Sequence, residues 1–119
     1  QNSFNLLAYR EPIIVDSGYY TGYGDNHHYG WTVRTRAHNT ILIDGTEQAH
    51  RSVAGYGWFT EFENNDEWCY FVGSCPKAYT QVDCEKFDRH VVWLKPDVYV
   101  IFDDLKTEQP RTFQWLLHT

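Results

Sequence analysis

The chain has no methionine, and only three cysteines and four prolines, in 119 residues. With Gln1 in first place, it is expected to be an excised piece or a mature fragment. No basic segment followed by an apolar stretch is present, so no secretory leader is expected, and no apolar run is long enough to span a bilayer as a helix. Cationic charge is scarce as well: ten Lys and Arg against sixteen Asp and Glu give a net charge of −6. With no basic stripe and no run of five like charges, nucleic acid is excluded as an expected partner.

Cys69, Cys75 and Cys84 make no C-x-x-C pair, which argues against a cysteine metal knuckle. On one extended strand Cys69 and Cys75 would stand roughly 20 Å apart. That is beyond the reach of about 7 Å that a disulfide tolerates, unless the chain turns between them. An odd count leaves at least one thiol free, and the redox compartment stays open. Helical periodicity is missing too, since no stretch of ten residues carries an apolar stripe at period 3.6.

What is present is aromatic and strand-like. Trp, Tyr and Phe make up 18% of the chain, a surplus that suits the pleated, half-buried surfaces of an all-β core and also sugar stacking. Strands are predicted over 3–9, 12–15, 40–44, 58–64, 68–74, 77–83, 87–94, 98–104 and 111–118. Turn signals separate them at Asp44-Gly45, Asn65-Asp66-Glu67 and Lys95-Pro96-Asp97. Short strands at this spacing predict an antiparallel β-sandwich, a single domain over 1–119 with one core, truncated at both ends. Between 16 and 36 lies a Gly-, Tyr- and His-rich segment, and loops of that length are usually functional.

Asp16 and His38 stand at the two ends of this loop, each beside a strand. A carboxylate and an imidazole brought together are two of the three protein donors a zinc ion needs. Taken singly, Asp16 reads as a turn former and His38 as a hydrogen-bonded core residue. His27 and His28 are neighbours on an extended segment, so they point apart and do not share an ion. Arg34 and Arg36 at period 2 share a face and can present two guanidinium groups to a carboxylate or sulfate, or pair with surface acids. Asn39 either satisfies backbone groups at the strand entry or touches substrate. Tyr20, with Tyr19, Tyr23 and Tyr29, surrounds the loop for packing or sugar contact.

Four segments carry a resemblance: Asn2-Ser-Phe-Asn5, Asp16-Ser-Gly-Tyr-Tyr20, Arg34-Thr-Arg-Ala-His-Asn-Thr40 with Asp44-Gly45, and the hairpin from Arg89 to Asp104. In this order they resemble the C-terminal β-sandwich region of the heparinase II/III-like polysaccharide lyases, over roughly the whole chain. The resemblance implies a partner α-toroid, an anionic uronate-containing polysaccharide bound between the two, and cleavage by β-elimination. It places the chief catalytic Tyr, Asn and His on the toroid, so no catalytic residue is expected here and the chain alone is expected to be inert. It also implies a structural zinc held by Asp16, His38 and a histidine upstream of residue 1. Substrate contacts are expected from Asn39, Arg34, Arg36 and Tyr20, and a periplasmic or secreted setting follows from the size of the polymer. A rival from another class is a non-catalytic carbohydrate-binding or structural sandwich.

Overall fold

Every second residue through the middle of the longest strand is buried: Phe87, Arg89 and Val91 point one way, and their neighbours stay half exposed. This period of two sets the main sheet. The computed structural model describes all residues except 19–21 and 23. Among the described residues there are eight strands: β1 (Leu6–Ala8), β2 (Glu11–Ile14), β3 (Ile41–Ile43), β4 (Trp58–Asn64), β5 (Trp68–Ser74), β6 (Cys84–Leu94), β7 (Val98–Thr107) and β8 (Phe113–Trp115). β4-β5-β6-β7 form one antiparallel meander, with β4–β5 and β6–β7 joined at predicted turns and β5–β6 through residues 75–83. The β1–β2 hairpin and the β3–β8 pair make the second layer. The chain is an all-β antiparallel sandwich. No described helix is long and apolar enough to cross a membrane.

The core lies between the layers at one end. Ile41 and Ile43 of β3 meet Phe87 of β6, with Cys75, Ala78 and Tyr79 closing the cluster. Tyr79 is buried but not orphaned, since its hydroxyl donates to the Ile41 carbonyl at 2.5 Å. All three cysteines are free thiols, and burial pushes Cys75 up to about 12, so it stays protonated and unreactive.

Toward β4 the second layer runs out. Phe62, Phe71, Val91 and Ile101 form one cross-strand row on the inner face, yet Phe62 is 69% exposed and Phe59 on the same face 73%. Beneath the β1–β2 hairpin, the gap between the layers is an apolar cleft of about 520 Å³ walled by Leu6, Ile14, Phe71, Trp93, Tyr99 and Leu117.

Two expectations need correcting. Residues 77–83 make no strand; the chain instead turns through a 3₁₀ helix at Pro76–Ala78. Pro76 has no N–H to give a ladder and its fixed φ suits a helix start, while Ala78 and Tyr79 are drawn into the core. The 16–36 segment is not simply a loop. It holds a π turn at His28–Thr32 and a 3₁₀ turn at Thr35–Ala37.

Candidate functional site

The ends of the long segment are stitched together by backbone. Ser17 donates both its N–H (3.4 Å) and its hydroxyl (3.0 Å) to the Ala37 carbonyl. Asp16, two residues past β2, is held by its N–H on Asn5 Oδ1 (3.0 Å) and by Ser3 Oγ donating to Oδ1 (3.3 Å). His38 caps the 3₁₀ turn, its N–H on the Thr35 carbonyl at 3.1 Å. The result is Asp16 Oδ2 at 3.0 Å from His38 Nδ1, each side chain about one third exposed (30% and 31%). Both line a pocket of about 340 Å³ with Gln1, Ser3, Thr40 and His50.

This pair fits two corners of a zinc site. Tetrahedral bonds near 2.0–2.1 Å put neighbouring ligand atoms about 3.3 Å apart, close to the separation seen here. Among the described residues no group of three His, Cys, Asp or Glu is gathered, so these residues alone do not make a full protein donor set.

The second cluster depends on a turn. Asp44 (φ 50°) and Gly45 (φ 72°) are both left-handed, as a two-residue type I′ turn requires, and Ile43 and Thr46 exchange hydrogen bonds of 3.3 and 2.8 Å across it. The reversal carries Glu47 back beneath the 3₁₀ turn. Its Oε2 accepts from Arg34 Nε (2.8 Å) and the Thr35 N–H (3.3 Å), and its Oε1 from Arg36 Nε (2.6 Å). Burial pushes the Glu47 carboxyl up, but the hydrogen bonds from Arg36 and Arg34 outweigh it and leave the group below its usual range. The clamp is therefore complete above the ordinary glutamate range and is lost as pH falls through the lowered value. Arg34 and Arg36 meet on a shared carboxylate, through a 3₁₀ turn rather than a strand face.

Asn39 is wholly buried. Its amide donates to the Phe4 carbonyl (2.9 Å) and its Oδ1 accepts from the His118 N–H (2.6 Å). A substrate contact is not open to a side chain at 0% exposure, so of its two expected roles the structure corrects the reading toward backbone satisfaction. Tyr20, Tyr19 and Tyr23 lie outside the described residues. Tyr29 is 37% exposed, with Arg51 over its ring at 5.4 Å. His28 bonds Thr32 Oγ1 through Nδ1 at 2.8 Å.

The sequence reading missed Glu47, which follows the Asp44-Gly45 turn by two residues; that turn signal is what could have found it. His50 lines the pockets of both clusters. Burial, then the charges of Arg34 and Arg51, hold its imidazole below the usual range.

A family model for the heparinase II/III-like C-terminal region matches residues 1–119. No curated protein matches the chain.

Proposed function

The chain belongs to the heparinase II/III-like C-terminal family, and from that membership we propose that it is the β-sandwich portion of a polysaccharide lyase acting on uronate-containing polymers. Its part is to form one wall of the substrate cleft, the facing wall being an N-terminal α-toroid of the same protein. In the reaction a base takes the proton α to the uronate carboxylate, the C–O bond β to it breaks, and an acid protonates the leaving oxygen. No residue of this chain is assigned either proton. The acid and base come from the toroid, and the chain alone is inert.

The observation that carries the site is the meeting of Asp16 Oδ2 and His38 Nδ1 at 3.0 Å in an accessible pocket. These two atoms would hold a zinc ion, which supplies a fixed cross-link between the ends of the long segment. Gln1 and Ser3 line the same pocket, so a residue preceding Gln1 in a longer protein enters beside the pair and can be the third donor. Binding of this kind becomes folding energy. A polymer too large to enter a cell puts the protein in a periplasmic or secreted setting.

Two measurements test this. The longer protein, incubated with a panel of uronate polysaccharides, is expected to raise the ultraviolet absorbance of the unsaturated uronate product; a flat trace from folded, zinc-loaded protein would move the assignment to a carbohydrate-binding module. Metal analysis after dialysis is expected to find about one zinc per longer chain and close to none after His38→Ala, while the 119-residue chain retains little. Tight retention by the short chain would mean the donor set is wrong.

A further inference from the structure

The geometry points to a binding site for one acidic group of a polysaccharide, a carboxylate or a sulfate, formed by Arg34 and Arg36 with Glu47 as the residue that positions both. It rests on the polysaccharide reading above and is separate from the Asp16–His38 pair. The asymmetry of exposure carries it. The Glu47 side chain is only 10% exposed, whereas Arg34 and Arg36 are 37% and 52% exposed. The negative partner is sunk and the positive ones remain open.

Glu47 takes Nε of each arginine and lies 2.5 Å from Nη2 of Arg36. Among the described residues, neither terminal nitrogen of Arg34 nor Nη1 of Arg36 has a hydrogen-bond partner. Both arginines line a polar pocket of about 450 Å³ together with Glu47, Gln48 and His50. One carboxylate neutralises one of two arginines, so the cluster keeps an excess positive charge on a chain whose net charge is −6. Arginines already held by Nε lose less side-chain freedom when an oxyanion arrives, and two planar donor groups suit its oxygens better than point charges do. The pocket shares Gln48, Ala49 and His50 with the pocket of the Asp16–His38 pair, so a polymer crossing one reaches the other.

Affinity electrophoresis of the 119-residue chain tests the site, in gels holding alginate (carboxylate only), dextran sulfate (sulfate only) or neutral dextran. Retardation by an acidic gel and none by neutral dextran is expected, the responding gel naming the group; no retardation by either acidic polymer overturns the site. Arg34→Ala/Arg36→Ala is expected to weaken binding about tenfold or more. Glu47→Gln separates a built site from diffuse charge. It adds one positive charge, so diffuse attraction would tighten binding, whereas loss of the positioning residue weakens it, here about tenfold. Unchanged or tighter binding by Glu47→Gln overturns the proposal. Should that variant fail to fold by circular dichroism, Arg36→Lys decides, because it keeps the charge at an exposed position and removes the fork: weaker binding supports the site and wild-type binding overturns it. Retardation persists if only the lyase assignment fails, since nothing is cleaved in this measurement.

Discussion

Replacing Arg89 by Met should destabilise the chain by about 3–5 kcal/mol, a large share of the roughly 5–15 kcal/mol that holds a domain of this size folded. Arg89 and Asp103 are paired across β6 and β7 with side chains only 4% and 5% exposed. Nε and Nη2 grip the two carboxylate oxygens at 2.7 Å each, while Nη1 donates to the carbonyls of Asn2 (2.5 Å) and Asn39 (2.7 Å). The guanidinium also lies 5.4–5.6 Å from the ring centroids of Phe4, Phe87 and Trp115. Met can fill the space but leaves the Asp103 carboxylate with the Trp115 indole N–H and strips two carbonyls of a partner. Urea unfolding followed by tryptophan fluorescence measures the loss. Removing both charges, as Arg89→Met with Asp103→Leu, should recover much of it, because a buried ion pair is costly mainly when broken. If the single change proves neutral, the pair is hydrated and not the tie between the layers.

A comparable loss, about 3–5 kcal/mol, is expected for Phe87→Ala. Phe87 is 0% exposed, with the Tyr79 ring 6.2 Å away and Ile41 and Ile43 on the facing layer. Removing the ring leaves a cavity that β3 cannot fill without shifting the turn behind it, because Ile43 leads directly into Asp44-Gly45. Phe87→Leu should lose less, about 1–1.5 kcal/mol. Thermal unfolding of the two variants side by side gives the ranking; equal losses would mean the site collapses freely and is not a rigid core.

Local rules made much of the main sheet legible. β4 and β5 run over the predicted residues 58–64 and 68–74 because alternation, aromatic content and the Asn65-Asp66-Glu67 turn agree. β6 and β7 extend beyond their predicted 87–94 and 98–104 because pairing with a neighbour lengthens a strand past its apolar stretch. The prediction failed over 77–83, where Pro76 and a tertiary demand on Tyr79 override strand propensity. In the site, the pairing of Asp16 with His38 was readable only from motif order. The contact is made by Ser17 and the Ala37 carbonyl, a long-range hydrogen bond that no local pattern signals. Asn39 was ambiguous for a similar reason: its partners, Phe4 and His118, lie at opposite ends of the chain.

Those two partners have a topological consequence. Thr40 Oγ1 donates to the Gln1 carbonyl at 3.1 Å, and the Leu116 N–H donates to the Thr40 carbonyl at 2.9 Å. Gln1 and Leu116, near the two ends of the sequence, are thus both pinned to Thr40. A short linker can join them, and new ends can be opened at an exposed turn such as Asn65-Asp66. The order of the strands along the gene is then separable from their order in the sheet, and a circularly permuted chain keeps the Arg34–Glu47 and Asp16–His38 contacts in place.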